Sequence, residues 1–333
     1  MRKPNKKLIL RQVRLEIKKR HLSKNGLKKT FLDKEIIVKF PPFISITKKK
    51  HREQLLKCIK HIHLRDCKKK SIFLDFRDVK ILFPDGAIYL VHKLDKILNK
   101  SNISGRSSSV TTVRAMLSKL GLHKLMKIAE YRPTKLIPMV EKWQIIEGES
   151  ADLGDKYDDV EVQINKIVTD RKSKMILQNA ISEAITNVIN HAYKPEDEYK
   201  KWLLFFAITP EDNECYIVLS DLGKTIPSTV PVTWTEKLLN PSDLLIAKKD
   251  SQLIELATKL HKSATGLDYR GKGFTDIMQV EEDMDGSKVM VVSRNGAWSS
   301  EAGPRDYAET IHGTTVMWCL PFHSEKQQLD RVV

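Results

Sequence analysis

The stretch from Ile181 to Tyr193 constrains this chain more than any other. Read as a helix, it gathers Ile181, Ala184, Ile185, Val188, Ile189 and Ala192 into an apolar stripe that must be buried. Glu183, Asn187 and His191 recur every fourth residue on the opposite side, drifting only about 40° around the axis per step. A helix that is otherwise core therefore presents an acid, an amide and an imidazole in a row. Two readings are open on this helix alone. The row is a solvated stripe of an amphipathic helix, or it is chemical. A carboxylate one turn from a carboxamide can activate a water beside a metal ion held by the amide oxygen.

At 333 residues the chain is long enough for two cores. No apolar run approaches the roughly 20 residues of a membrane-spanning helix, and the charged N-terminus lacks the apolar centre of a secretory signal. Cys58, Cys67, Cys215 and Cys319 are too few and too scattered for a disulfide framework, so the expectation is a cytoplasmic chain with reduced thiols. The net charge of +16 is lopsided: residues 1–70 hold 24 Lys/Arg against 5 Asp/Glu, a surplus of 19, and the rest sums to −3. Such a basic segment suits nucleic acid, an anionic membrane surface or an acidic partner, or it simply keeps the chain soluble.

Residues 5–21 are basic and amphipathic, and Asn25-Gly26 breaks the pattern. Glu35–Phe40 reads as a strand and Lys50–Leu64 as a helix. Cys58, His61, His63 and Cys67 match no common zinc spacing, and the two histidines point to different faces of a helix, so they read as two surface imidazoles and two small thiols. Ser71–Phe76 is a short apolar run, read as a buried strand. Pro84-Asp85-Gly86 turns into a helix over Ala87–Leu98. A short strand within Asn102–Ser109 and a helix over Val113–Leu120, stopped by Gly121, follow. Strand, turn, helix, strand, helix is an α/β order.

Phe73-Leu74-Asp75-Phe76, Pro84-Asp85-Gly86-Ala87 opening a helix, and Val113-Arg114-Ala115-Met116-Leu117 running to Leu120-Gly121-Leu122 together resemble a STAS domain, the fold of anti-sigma factor antagonists. The resemblance covers about 50 residues, read as 71–130 with a start as early as about residue 35 also compatible. In that family a serine or threonine just ahead of the glycine accepts a phosphate. Asp85 stands at that position here, which implies a switch that is absent or permanently acidic.

Residues 131–159 read as a connector, acidic from Glu147 to Asp159. An apolar-polar pattern over Val160–Val168 leads to a long helix over Arg171–Tyr193. Strands over Trp202–Ile208 and Tyr216–Leu219 are joined by a turn at 210–213, and the second runs into Asp221-Leu-Gly223-Lys-Thr225-Ile226-Pro227. One or two helices fall within Ser242–His261. A polar loop ends in Arg270-Gly271-Lys272-Gly273-Phe274 and opens a helix reaching Met284. Ser287–Ser293 and Ala297–Ser299 form a hairpin about Arg294-Asn295-Gly296, and His312-Gly313-Thr314-Thr315 enters a last strand at Val316–Leu320. Each box is weak alone, but their order makes chemical sense. An aspartate at a strand end accepts from an adenine amine, and Gly223 lets a base approach the backbone. Gly271 and Gly273 present N–H groups to phosphates, whose charge Arg270 and Lys272 neutralise. Asn187 suits Mg²⁺, which takes few protein ligands, and Glu183 suits a base.

The series over 160–322 resembles the GHKL ATPase superfamily, and the Glu183-Ala-x-x-Asn187-x-x-x-His191-Ala-Tyr form resembles its anti-sigma factor serine kinase branch. The resemblance implies a Bergerat fold, an α/β sandwich with helices on one face of a mixed sheet. It implies ATP and Mg²⁺ as ligands, with Mg²⁺ on Asn187 and Glu183 as the catalytic residue. Asp221, Gly223, Ile226, Arg270, Gly271, Lys272, Gly273, Phe274 and Thr314 fall at its nucleotide-binding positions. Thr225 replaces the second glycine of the family's Asp-x-Gly-x-Gly box, which stiffens the loop. The implied function is an ATP-binding regulator, a kinase or ATPase acting on a protein partner. Its ATPase module is fused behind a STAS-like one, and no transducer domain is expected after the last strand. The alternatives are a nucleic-acid-associated ATPase using residues 1–70, or a scaffold locked with ATP. An oligomer is compatible with each.

Overall fold

A computed structural model describes residues 36–66, 71–98, 102–135, 137–209, 213–229, 249–263 and 274–321. The basic residues 1–35, Cys67, and the loop carrying Arg270, Gly271, Lys272 and Gly273 lie outside them. The strands are β1 (Ile36–Lys39), β2 (Phe43–Ile44), β3 (Ile72–Asp75), β4 (Ile81–Leu82), β5 (Ile103–Arg106), β6 (Gln144–Gly148), β7 (Trp202–Thr209), β8 (Glu214–Asp221), β9 (Lys288–Ser293), β10 (Gly296–Ser299), β11 (Gly303–Asp306) and β12 (Thr314–Pro321). The helices are α1 (Lys49–Asp66), α2 (Pro84–Leu98), α3 (Thr111–Lys119), α4 (Leu122–Leu125), α5 (Pro138–Glu141), α6 (Lys156–Ile167), α7 (Arg171–Asn187), α8 (Ile226–Thr229), α9 (Asp250–Ser263) and α10 (Thr275–Asp283). The protein is thus of mixed α/β class, and among the described residues no helix is long and apolar enough to cross a membrane.

The N-terminal half holds a small parallel sheet in the order β1-β3-β5, joined through α1 and α2, and a parallel pair β2-β4. Parallel neighbours need a crossover, and the helices supply it. Residues 36–66 of the basic segment therefore belong to this unit, so it begins before residue 71. Asp85 is 4% exposed at the start of α2, and its Oδ2 accepts from the Ser45 hydroxyl (2.7 Å), the Ile46 N–H (2.8 Å) and the Thr47 N–H (2.9 Å). This carboxylate stitches the 45–47 loop to the helix start, a use the resemblance did not suggest. Cys58 is half-buried and donates to the Lys39 carbonyl, and His61 and His63 are exposed. Among the described residues no group of acids, histidines and cysteines is arranged to hold a metal.

The second sheet has seven strands in the order β11-β10-β9-β12-β8-β7-β6. Every neighbouring pair is antiparallel, which corrects the expectation of a mixed sheet. The supposed connector is also corrected, because its residues 144–148 are edge strand β6, paired along β7 from Gln144↔Phe206 to Gly148↔Trp202. β11 was not read from sequence at all. Its Gly-Pro-Arg-Asp run lacks the apolar alternation that marks a strand.

Helices cover both faces of this sheet. Side chains alternate across a strand, so Trp202, Leu204, Phe206 and Ile208 of β7 join α6, α7 and α10 in one core. Leu203, Phe205 and Ala207 join α2 and the parallel unit in the other. The uninterrupted Trp-Leu-Leu-Phe-Phe-Ala-Ile run of β7 has this cause, since a strand buried on both faces has no polar side. Arg52 of α1, fully buried, fastens the units. Its guanidinium donates to the carbonyls of Ile46 (3.1 Å), Glu309 (2.8 Å) and Arg294 (2.6 Å) and lies 4.2 Å from the Tyr307 ring centroid. Tyr307 in turn donates to the Thr47 carbonyl at 2.6 Å.

Candidate functional site

The site forms where α7, the end of β8 and the start of β12 meet. Asp170 caps α7, its carboxylate accepting from the Ser173 N–H at 2.8 Å. The helix is α-helical to Asn187 and then widens into one π-turn, Val188–Ala192. Such single π-turns are rare inside α-helices and concentrate at functional sites. The wider turn takes His191 off the four-residue stripe expected of it, and its side chain is exposed, whereas Glu183 and Asn187 stay half-buried. Burial raises the Glu183 pKa, with Asp276 of α10 adding repulsion, and a hydrogen bond from Asn187 partly offsets both. The two side chains therefore act as a pair.

The π-turn is where the Asp221 loop docks. The Ala192 carbonyl accepts from the Lys224 N–H at 2.6 Å. A β-carbon on Gly223 would sit 2.2 Å from that same oxygen, so only glycine fits. The Leu222 N–H donates to the Tyr193 hydroxyl (2.9 Å), which donates to the Lys201 carbonyl (2.7 Å). Asp221, 4% exposed, accepts the Gly223 N–H on Oδ1 (2.8 Å) and the Thr314 N–H on Oδ2 (3.2 Å). Burial pushes its pKa up to about 7 despite these two donors. Gly313 has a left-handed φ of 73°, and a β-carbon there would meet the Asp221 carbonyl at 2.1 Å. Both glycines thus bring backbone against backbone around one carboxylate.

Ser293 on β9 ties the remaining pieces and was missed from sequence. Its hydroxyl accepts from the Ile226 N–H (3.0 Å), donates to the Gly313 carbonyl (3.2 Å) and meets Thr314 Oγ1 at 3.0 Å. The signal for it was slight: a serine ending an otherwise apolar strand. Thr225, the departure from the family pattern, has no left-handed φ. Its hydroxyl meets Ser228 Oγ at 3.2 Å, and Ser228 donates to its carbonyl at 2.7 Å. That turn opens α8, so a β-carbon is tolerated there. Ile226 and Phe274 are half-buried against the α7–α10 core. Glu183, Asn187, Asp221, Gly223, Ile226, Phe274 and Thr314 are all described; Asp221 meets Gly223 and Thr314 directly, Ile226 is joined to Thr314 through Ser293, and Ala192 joins the Asp221 loop to the Asn187 helix. Arg270, Gly271, Lys272 and Gly273 lie outside the described residues.

Behind Asp221 the sheet is covered by α2. Ser220, on the opposite face of β8, meets His92 Nδ1 at 3.2 Å. Burial lowers the His92 pKa to about 3, with neighbouring Lys96, Lys93 and Lys201 adding to the shift, so the ring is neutral. Nε2 is buried toward the Lys201 carbonyl but outside hydrogen-bonding geometry. No protein-family model matches the chain, and no curated protein matches it in sequence.

Proposed function

We propose that residues 156–321 bind ATP with Mg²⁺ in the GHKL manner, and that the protein is a nucleotide-dependent regulator acting on a protein partner. One observation carries this reading: Asp221 is a buried carboxylate framed by two backbone N–H donors and by two glycines that let backbone segments close around it. Each of its oxygens has one donor and a lone pair left over, which suits the exocyclic amine of a purine. A pKa near 7 also lets it serve as a hydrogen-bond donor to a ring nitrogen.

Asn187 suits the metal by its donor chemistry, a neutral amide oxygen one turn from Glu183. Mg²⁺ takes few protein ligands and completes its shell with phosphates and water. When bound it would neutralise the phosphate charge that builds up in phosphoryl transfer. Glu183, its proton affinity raised by burial, would orient or deprotonate the attacking hydroxyl or water, and Asn187 holds it in place.

ATP titration by calorimetry tests the reading. Asp221→Asn and Asn187→Ala should each weaken binding by about tenfold or more, the loss of one buried polar contact. Two variants that bind like the parent would remove the site assignment. Transfer of label from ATP to protein, lost in Glu183→Gln, would identify a kinase; no transfer with binding intact would leave a nucleotide-gated scaffold.

A further inference from the structure

α2 carries a second cluster that the nucleotide reading does not use. Tyr89, Lys93 and Lys96 fall at four- and three-residue steps and so share one face of the helix. The Tyr89 hydroxyl accepts the His312 N–H at 3.2 Å, which sets His312 against that face. Lys93 is only 8% exposed, and no carboxylate among the described residues acts on it. Lys96 lies toward Asp197 and Asp221 without an ion pair to either, its ammonium 5.3 Å from the Tyr199 ring centroid. The acids nearby are already engaged: Asp197 accepts the Lys194 N–H, Asp221 the Gly223 and Thr314 N–H groups, and Asp95 the Tyr199 hydroxyl and Lys201. The three basic groups also act on one another. Lys93 is held down by burial and by Lys96, and His312 by burial and then by Lys93, Lys96 and His63.

An ammonium withdrawn from water without a counter-ion is unfavourable, and proteins rarely leave one so. An anion from solution would cancel the charge. We propose that this face of α2 is a binding site for a phosphate-class oxyanion, held by Lys93 and Lys96 and bounded by His312. Two compact ammonium groups suit a phosphate, which they meet as point charges. The ligand would bridge α2 to the loop whose next residues, Gly313 and Thr314, frame Asp221. Phosphate free in solution and phosphate on a protein side chain share this chemistry.

Thermal unfolding of the full chain, in inorganic phosphate and in chloride at matched pH and ionic strength, tests the site. The parent should show a saturable rise in Tm specific to phosphate. Lys93→Met should lose that rise while matching or exceeding the parent's Tm in chloride, because it removes a buried charge that no carboxylate among the described residues meets. Lys96→Gln should weaken phosphate binding at least fivefold by ³¹P NMR titration, and Asn187→Ala should keep the parent's response. No phosphate-specific rise in the parent, or an undiminished rise in Lys93→Met, overturns the proposal. So does a rise lost in Asn187→Ala and kept in Lys93→Met, since phosphate would then occupy the nucleotide site. With the site established, O-phosphoserine binding more tightly than inorganic phosphate would mark a phosphorylated protein as the source, and weaker binding would mark the free ion.

Discussion

Replacing Arg52 by methionine measures how firmly the two sheets are joined. The substitution keeps an unbranched apolar stem and removes the guanidinium with all its donors. Among the described residues the carbonyls of Ile46 and Glu309 then lose their partner, while the Arg294 carbonyl keeps the Ile311 N–H at 3.0 Å. A buried acceptor left unmet costs about 1–3 kcal/mol, so two give a gross loss of roughly 2–6 kcal/mol. An opposing effect is also present. Burial pulls the guanidinium from its ordinary 12.5 to about 10. At about 1.36 kcal/mol per unit, removing the charge recovers on the order of 3 kcal/mol. The expected net loss is about 1 kcal/mol at the middle of the range. Urea unfolding of the full chain at neutral pH reads it directly. Arg52→Lys should fall between parent and methionine variant, because one ammonium keeps the charge but cannot span three acceptors. A methionine variant within about 0.5 kcal/mol of the parent would behave as a surface change, and the buried fork would then not be what fastens the units.

Other outcomes follow from the site. Gly223→Ala should destabilise the fold by about 1–3 kcal/mol and weaken ATP binding at least tenfold, because its β-carbon meets the Ala192 carbonyl; calorimetry with a urea control separates the two effects. Asp221 has a folded pKa raised to about 7 from an ordinary 3.8, so the native state holds a proton that the unfolded chain releases. Stability contributed by that proton is present at low pH and lost as pH rises from about 4 to 7, by at most about 4 kcal/mol; Asp221→Asn should flatten this fall in urea midpoints. His92 works in the other direction: folded near 3 against an ordinary 6.5, it favours the native state above pH 6.5 and loses that advantage as pH drops toward 3. His92→Asn, which keeps a donor for Ser220, should lose less stability than the parent between pH 7 and 5, by up to about 1.4 kcal/mol per pH unit.

Much of the candidate site was legible because its residues sit at element ends, where sequence signals are strong. Asp221 closes an apolar strand, Gly223 and Gly313 mark tight approaches, and Asn187 lies on a helix whose apolar face is continuous. The clamps were not legible. The hydroxyls of Ser293 and Tyr193 gain their roles from partners 67 and 29 residues away in the chain, through Ile226 and Leu222. The π-turn was hidden as well, since apolar spacing over 13 residues cannot separate one widened turn from a regular helix. In the fold, β6 was lost to its acidic surroundings, and β11 to its Gly-Pro start. The docking of α2 on the large sheet was recoverable in principle, because the unbroken apolar run of β7 has no solvent face.

That two-faced strand bears on how the protein is made and cut. The α2 unit precedes the large sheet in the chain, so on the ribosome it can be in place before β7 emerges. An excised fragment beginning at residue 156 would lack both β6 and that cover. It would present Leu203, Phe205, Ala207 and Val218 to water as a continuous apolar surface beside an unpaired β7 edge, the combination that drives strand-to-strand association between copies. Expression of the half that carries the seven-stranded sheet calls for the whole chain from residue 36, with the parallel unit acting as an intramolecular shield against aggregation.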